Sequence, residues 1–330
     1  SAGFDAAKLT EALDFAESRG SSAVMVVVDG RIVAERQTPL KERSPRWTER
    51  YQRLVIGTND DGQVIEDVAS VQKSMVSFLV MAAVGGGKLE LDRPVSDYMG
   101  AGWSKAGEED ERKITVRHLM SMTSGLNDAL EHQTAPGETW RYNTGAYSKM
   151  VNVLEAVYEE PIASITKSKL TERIGMKDSG WEPRPWALTM AAANNVGFAT
   201  SARDLARFGV LVLNEGRWED EKLLAQPALL TEALSPSQSL KRNYGVLGWA
   251  NGQGWAAEGS ASADRASDEA GSGTGMAPSA PAEMVAARGA LGRKVYLVKD
   301  WGLVVVRLGN EAGVDFDEAF WQRLAAARTK

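Results

Sequence analysis

Short apolar runs near both ends of the chain predict two β-hairpins. Residues 23–28 and 31–35 contain β-branched residues and flank Asp29-Gly30, a dipeptide that favours the type I′ turn of a two-residue hairpin. Residues 294–298 and 303–308 repeat this arrangement near the other end, and the three consecutive valines of the latter run suit a central strand. The two hairpins together predict one antiparallel sheet that is built from both ends of the chain.

Apolar residues recur at helical spacing outside and between these strands. Residues 5–18 and 316–326 predict one helix at each end of the chain. The predicted fold class is therefore α+β, an antiparallel β-sheet flanked by terminal helices, with a large and mostly helical inserted region. The other predicted helices are residues 70–84, 115–124, 145–158 and 202–214.

These elements predict two domains. Residues 1–80 and 236–330 form the predicted α/β domain with the antiparallel sheet, residues 81–235 form the mostly helical domain, and the active site is expected at their interface. Residues 256–281 consist mainly of alanine, serine and glycine, which predicts a long loop or lid. The sequence leaves open whether that loop moves.

The composition is that of an ordinary globular protein with a small-molecule ligand. The 330 residues carry a net charge of −6 and show no basic patch with interleaved aromatic residues of the kind that binds nucleic acid. No apolar run reaches the roughly 18 residues of a membrane span. The absence of cysteine excludes disulfides and thiol nucleophiles. A periplasmic or secreted location is favoured over a cytoplasmic one, and the oligomeric state stays open.

Several common catalytic signatures are missing from the chain. It has no Gly-x-Ser-x-Gly elbow and no His-Glu-x-x-His, and Leu89 stands where a phosphate-binding loop needs serine or threonine. A Ser-His-Asp triad would depend on His118 or His132, the only two histidines. His118 lies in the helix that is predicted to begin at Thr115, where a capping or packing role is favoured, and His132 lies in a polar stretch. We therefore expect no metal site and no cofactor.

The remaining candidate chemistry is a Ser-x-x-Lys pattern, which occurs twice. Ser70 follows a predicted short strand and opens an apolar helix, where free backbone N–H groups and the helix dipole favour negative charge. The i, i+3 spacing places Lys73 on the same face of the helix, and burial lowers the pKa of a lysine toward that of a useful base. Ser164 and Lys167 lie in a short polar segment that favours a surface helix. These arguments alone favour two interpretations equally. Ser70 is either a nucleophile with Lys73 as its base, or a helix cap beside a lysine that reaches solvent.

Four segments, in a fixed order, resemble one protein family. Residues 70–74 (SVQKS) resemble the active-site start of the serine β-lactamase and penicillin-binding protein superfamily. Residues 114–126 (ITVRHLMSMTSGL), 136–147 (PGETWRYNTGAY) and 199–209 (ATSARDLARFG) resemble segments of its branch with class C β-lactamases, D-aminopeptidases, Ser-x-x-Lys esterases and nylon-oligomer hydrolases. The resemblance implies a β-lactamase/transpeptidase-like fold.

The resemblance carries over to individual residues of the first two motifs. It implies Ser70 as the nucleophile, Lys73 as the general base and Tyr142 as a general acid and base. The Tyr-x-Asn motif of the family is Tyr142-Asn143-Thr144 here, so threonine replaces the asparagine. We expect Asn143 and Thr144 to contact the substrate, and the lost asparagine argues against binding of a β-lactam side chain. Aromatic packing is the alternative role for Tyr142.

The third motif, Lys-Thr-Gly or His-x-Gly in relatives, corresponds to Ala-Arg-Gly-Ala just before the last hairpin. Gly289 is kept, which lets a substrate lie close to the strand. The resemblance implies that the backbone N–H groups of Ser70 and Ala290 form the oxyanion hole. Ala287 replaces the lysine or histidine, and the neighbouring Arg288 is a candidate to bind a substrate in its place. A strand bulge is the alternative explanation for Gly289.

Together these residues predict a serine hydrolase that forms an acyl-enzyme on Ser70. The expected substrates are small esters or amides, as for a carboxylesterase or an aminohexanoate-oligomer-type amidase. A D-stereospecific peptidase or weak β-lactamase is the alternative enzyme, and a non-catalytic penicillin-binding-like sensor is the alternative of another class. Trp249 is a candidate substrate contact together with Trp140 and Trp255, although core packing is also open to all three.

Overall fold

The structure is a computed structural model that describes residues 3–41, 44–189, 194–252 and 276–329. The strands within these ranges are β1 (Ser21–Val28), β2 (Arg31–Gln37), β3 (Val55–Thr58), β4 (Val64–Asp67), β5 (Gly180–Pro183), β6 (Val196–Thr200), β7 (Arg217–Trp218), β8 (Glu221–Lys222), β9 (Trp249–Ala250), β10 (Val285–Arg288), β11 (Lys294–Val298) and β12 (Leu303–Gly309). The α-helices are α1 (Ala6–Ser18), α2 (Glu49–Gln52), α3 (Gln72–Gly85), α4 (Ser96–Met99), α5 (Glu108–Glu111), α6 (Val116–Met120), α7 (Thr144–Tyr158), α8 (Ile162–Thr166), α9 (Ala202–Leu213), α10 (Ala228–Ala233) and α11 (Phe316–Ala327). Most of the predicted lid at residues 256–281, together with Trp255, lies outside the described residues.

A six-stranded antiparallel sheet unites the two ends of the chain in the order β2-β1-β12-β11-β10-β9. Both predicted hairpins are present, and β12 lies between β1 and β11, as its run of valines predicted. Asp29 and Gly30 have φ angles of 48° and 73°, and a type I′ turn requires positive φ at both positions. The terminal helices α1 and α11 share a hydrophobic cluster with one face of this sheet. The α+β fold class is therefore confirmed.

Strand β1 is buried on both faces, which explains its nearly continuous apolar sequence. Val24 and Val26 belong to the hydrophobic cluster that the terminal helices form on one face. Met25 and Val27 belong to a second cluster on the other face, which includes residues of α3 and α9. Side chains alternate between the two faces of a strand, so β1 contributes to both clusters at once.

A second antiparallel sheet has the order β3-β4-β6-β5. Its inner strands β4 and β6 pair Glu66 with Thr200 and Asp67 with Ala199. Strands β5 and β6 come from residues 81–235, which were predicted to be mostly helical, so this part of the chain is more mixed than expected. Strands of four or five residues that contain glycine and proline carry too little alternation to stand out in the sequence. The division into two domains stays a prediction.

The larger central helices follow the predicted segments, but α6 is shorter than expected. The predicted helix over residues 115–124 ends at Met120, because Met122 has a left-handed φ of 64° that no α-helix accommodates. At the other end, the His118 Nδ1 accepts a hydrogen bond from the Thr115 backbone N–H at 3.1 Å, which completes a capping box. The predicted capping role of His118 is therefore confirmed. Among the described residues, no helix is both long and apolar enough to cross a membrane.

One buried carboxylate joins the two sheets. Glu66, in β4, is fully buried and accepts hydrogen bonds from the Ser22 hydroxyl and from the Tyr51 hydroxyl at 2.7 Å. Its other oxygen accepts from Arg293 Nη2 at 2.6 Å and from the Gly309 backbone N–H at 3.2 Å. Since the Arg293 side chain is also fully buried, each charge depends on the other for compensation.

Replacing Glu66 with glutamine should lower the free energy of unfolding by about 3–5 kcal/mol, because it leaves the Arg293 guanidinium buried without an opposite charge. Urea unfolding followed by circular dichroism measures this loss. Glu108→Gln is the matched control, since it breaks an exposed ion pair with Arg112 and should cost less than about 1 kcal/mol. Equal losses in the two variants would contradict the role of Glu66.

Candidate active site

Ser70 lies in a tight turn between strand β4 and helix α3. A single turn of 3₁₀-helix, Ala69–Val71, precedes the first residue of α3, so Ser70 lies just ahead of the helix instead of within its first turn. Ala69 has a φ of 51°, in the left-handed region that alanine rarely adopts. The Ala69 N–H donates to Asp67 Oδ1 at 2.8 Å, which holds the turn in this conformation. Strained backbone of this kind is frequent at functional sites.

Lys73 reaches the hydroxyl of Ser70 from inside the protein. Its Nζ lies 3.0 Å from Ser70 Oγ, as the i, i+3 spacing predicted. The ammonium is buried and lies 4.9 Å and 4.4 Å from the ring centres of Tyr142 and Tyr147. This burial, with a smaller contribution from the positive charge of Arg184, lowers the pKa of Lys73 to about 7. A large fraction of the amine is therefore neutral near pH 7.

Tyr142 approaches the same hydroxyl from a second direction. Burial raises the pKa of Tyr142, while a hydrogen bond with Ser70 and the charge of Arg288 act in the opposite direction. The ring of Trp249 stacks on that of Tyr142, with 6.1 Å between ring centres. Tyr142 therefore contacts the reactive hydroxyl and also packs against other aromatic rings.

Trp249 belongs to an aromatic cluster around Tyr142. Its ring lies 4.9 Å from Tyr244 and 6.3 Å from Trp140, measured between ring centres. On its other side, the Arg288 guanidinium lies 5.3 Å from the ring centre. Trp249 is half-buried, and its ring contacts are with Tyr142 and with the two rings that pack around Tyr142.

Asn143 was predicted to contact the substrate, but its side chain is used by the fold. The residue is only 1% exposed, and its Oδ1 accepts from the Ala146 N–H at 2.9 Å as the N-cap of α7. Its amide nitrogen donates to the carbonyls of Leu126 and Asn127, both at 2.9 Å. Both amide hydrogens are therefore used inside the protein, where the Asn143 side chain caps α7, and a contact with substrate stays a prediction.

Thr144 lines a cavity of about 460 Å³ that opens beside the serine. Ser70, Lys73 and Ala290 line the same cavity, so the structure brings together residues from three separate motifs. The volume falls within the range that is usual for small-molecule sites.

Gly289 allows the strand β10 to lie directly against the turn of Ser70. A Cβ atom at this position would overlap the Val68 carbonyl oxygen and lie only 3.3 Å from the Ser70 backbone nitrogen. The β10–β11 register runs without a shift through Arg288, so close approach explains this glycine better than a bulge does. The Arg288 side chain lies over Trp249 and 3.9 Å from Asp317 Oδ2, while Ala287 is buried.

A buried polar network behind the site was not predicted from the sequence. Arg184 forms a bidentate pair with Asp67, with both distances 2.6 Å, and donates to Gln72 Oε1 at 2.9 Å. The Gln72 amide nitrogen lies 3.3 Å from the Tyr147 hydroxyl. Gln72 lies inside the Ser-x-x-Lys motif, whereas no sequence pattern indicates a role for Arg184.

The second Ser-x-x-Lys pattern lies on the surface. Ser164 is an exposed residue of α8, and Lys167 is exposed and 3.3 Å from Glu172. The predicted surface helix is therefore confirmed. Within the described part of the chain, no three or more His, Asp or Glu side chains are grouped so that they could hold a metal ion.

Comparison with known proteins finds distant curated relatives. Esterase EstB of Burkholderia gladioli is 25% identical over 158 residues, which cover 37% of this chain and 40% of EstB. The chain spans less than two thirds of the length of the curated relatives it matches.

Solved structures match along nearly the whole chain. A Bacteroides dorei protein assigned as a β-lactamase has a TM-score of 0.69 at 14% identity and covers 98% of this chain and 99% of its own. A Bacillus anthracis protein assigned as a 6-aminohexanoate-dimer hydrolase has a TM-score of 0.66 at 14% identity, with coverage of 95% and 81%. The β-lactamase family model matches residues 6–328. The chain therefore belongs to the β-lactamase family, within the superfamily of serine β-lactamases and penicillin-binding proteins.

Proposed function

We propose that this protein is a serine hydrolase that cleaves small esters or amides through an acyl-enzyme on Ser70. The observation that carries the proposal is the position of the Lys73 amine, 3.0 Å from Ser70 Oγ in a buried site where the lysine pKa is about 7. A neutral amine at this distance can accept the serine proton. Tyr142 supplies a second proton-carrying group at the same hydroxyl.

The first half of the reaction forms the acyl-enzyme. Ser70 Oγ attacks the substrate carbonyl carbon while its proton passes to Lys73, and a tetrahedral intermediate forms. The bond to the leaving alcohol or amine then breaks, and the leaving group takes a proton from Tyr142, which Lys73 reprotonates. The second half reverses these roles. Lys73 and Tyr142 take a proton from water as it attacks the acyl carbon, the bond to Ser70 Oγ breaks, and Oγ takes that proton back as the acid leaves.

The oxyanion of both intermediates needs hydrogen-bond donors that are already in place. We assign this role to the backbone N–H groups of Ser70 and Ala290. The close approach of Gly289 to the Ser70 nitrogen supports this assignment, because it holds the two backbone segments together at the reactive carbon.

Two substitutions in the family motifs favour esters and linear amides over β-lactams. Thr144 lacks the amide of the asparagine that it replaces, and Ala287 lacks a charge for a β-lactam carboxylate. The name of EstB and the assignment of the Bacillus anthracis structure point to esters and to aminohexanoate amides. We therefore favour a carboxylesterase or an aminohexanoate-oligomer-type amidase.

Ser70→Ala should lower turnover of 4-nitrophenyl butyrate at least about 1,000-fold while leaving the circular dichroism spectrum unchanged, because it removes only the nucleophile. A fluorophosphonate should add one adduct to the intact mass of the wild type and none to this variant. Ser164→Ala is the matched control from the second Ser-x-x-Lys pattern and should keep both the turnover of 4-nitrophenyl butyrate and the fluorophosphonate adduct. The absence of any adduct on the wild type would contradict the proposal, and rapid nitrocefin hydrolysis would favour a β-lactamase instead.

The rate should rise with pH as Lys73 loses its proton. Because the base acts only when neutral and its pKa lies near 7, kcat/KM should fall about tenfold per unit below pH 6 and level off above pH 8. Initial rates from pH 5 to pH 9 measure the profile. Lys73→Arg keeps a positive charge at every pH and should lose the activity throughout; a wild-type rate that stays constant from pH 5 to pH 8 would rule out this base.

Gly289→Ala should lower kcat by about 10–100-fold, because the new methyl group pushes β10 away from the Ser70 turn and displaces the Ala290 N–H. Steady-state kinetics with 4-nitrophenyl butyrate measure the loss. Gly107→Ala is a useful comparison, since Gly107 is exposed, its φ of −61° suits alanine, and a methyl group there meets no other atom within 4 Å. Full activity of Gly289→Ala would disprove the assignment of the oxyanion hole.

A further inference from the structure

The cavity beside Ser70 extends away from the catalytic residues toward helix α2. This inference rests on the proposed acyl-enzyme mechanism. Among the described residues, the outer part of the cavity is lined by Glu49, Arg50, Arg53, Leu54, Trp186 and Asn194. None of these residues belongs to the motifs that carry the catalytic chemistry.

The proposed mechanism places this cavity on the acyl side of the scissile bond. Ser70 and Ala290 line it, so a bound carbonyl group can reach it. Tyr142 and Trp249 are not among its described lining residues. Since Tyr142 protonates the leaving group in the proposed mechanism, the leaving group lies toward Tyr142, and the acyl chain is left to occupy the cavity.

The charged residues of the cavity are mostly basic. Four of the five described ones are Arg50, Arg53, Lys73 and Arg184, and the fifth is Glu49. Arg184 is held by its buried carboxylate partner, and Glu49 pairs with Arg53. Within the described ranges, the one acidic partner of Arg50 is Glu311, at 3.7 Å in an exposed pair. The excess positive charge therefore lies at the mouth of the cavity.

The buried amide of Asn194 also lacks an acceptor. Asn194 is 8% exposed, and its Nδ2 has no hydrogen-bond partner among the described residues, which costs free energy in a buried site. By contrast, Gln72 and Tyr147 already share a hydrogen bond with each other. The groups that are left to bind a ligand here are thus N–H donors, from Arg50, Arg53 and Asn194.

We propose that the cavity selects substrates whose acyl chain ends in a carboxylate, such as half-esters or half-amides of short dicarboxylic acids, and not the aminohexanoate acyl chain, which ends in an ammonium group. A carboxylate accepts two parallel hydrogen bonds from a guanidinium and suits the donors at the mouth of the cavity. Leu54 and Trp186 provide apolar surface for the methylene groups between that carboxylate and the scissile carbonyl.

The test uses two esters that differ only at the end of the acyl chain, mono-4-nitrophenyl adipate and 4-nitrophenyl hexanoate. The wild type should have a kcat/KM at least tenfold higher for the adipate half-ester at low ionic strength. The preference should shrink as salt is added, because exposed arginines are screened. Arg50→Ala/Arg53→Ala should lower the adipate-to-hexanoate ratio at least tenfold, Asn194→Leu should also lower it, and Glu49→Gln should raise it.

Arg93→Ala/Arg112→Ala is the matched control. Arg93 and Arg112 are 49% and 68% exposed and pair with an acid four residues away, while Arg53 and Arg50 are 47% and 66% exposed. This control variant removes the same charge from the surface but not from the cavity, so the ratio should stay at the wild-type value. An equal fall in both double variants would mean that net charge alone sets the preference and would overturn the proposal.

The remaining outcomes separate this inference from the proposed function. Hydrolysis of hexanoate with no preference for adipate would overturn the inference and leave the hydrolase assignment intact. If neither ester is cleaved, the assignment fails, and calorimetric titration of adipate into the Ser70→Ala protein then decides the inference by itself. Binding that is lost in a further Arg50→Ala/Arg53→Ala variant would support a basic cavity that takes acidic acyl chains, and absence of binding would overturn it.

Discussion

Two neighbouring buried carboxylates at the end of β4 determine where Ser70, the proposed nucleophile, lies. Because side chains alternate along a strand, Glu66 meets Arg293 on one side while Asp67 meets Arg184 on the other. Each carboxylate is buried and requires its arginine, so the two ion pairs connect β4 to both sheets. The turn that carries Ser70 follows directly and accepts no large shift without breaking one of these pairs. The position of the nucleophile is thus a consequence of the core.

Burial also gives Lys73 the lowered pKa that suits it to the role of base that we propose. Lys73 lies in an apolar helix between two tyrosine rings, where the charged form of its amine is disfavoured. Arg184 adds positive charge nearby, and Gln72 connects that arginine to Tyr147. A network that stabilises the fold therefore also contributes to the lowered pKa of the Lys73 amine. Such a site sacrifices some stability of the folded protein for reactivity, as strained and desolvated sites commonly do.

The catalytic centre and the cavity wall come from different parts of the chain. Helix α3 and strand β10 bring Ser70, Lys73 and Gly289 together, and these elements lie in the shared core of the fold. Helix α2 and the segment around Trp186 and Asn194 form the outer wall and carry no catalytic motif. Proteins of one family can therefore keep the same acyl-transfer chemistry while the wall sets which acyl chains fit.

The sequence by itself determined the features that depend on residues close together in the chain. The two hairpins and the main helices follow from periods of 2 and 3.6, and the contact between Ser70 and Lys73 follows from one helical turn. Family motifs were enough to identify Tyr142 as a partner for that serine. Only the tertiary structure decided that Arg184 pairs with Asp67, 117 residues earlier, and that Asn143 caps helix α7 from a buried position. The burial of charges and the free donors of a cavity depend on what lies opposite each residue in space, and no local spacing encodes that.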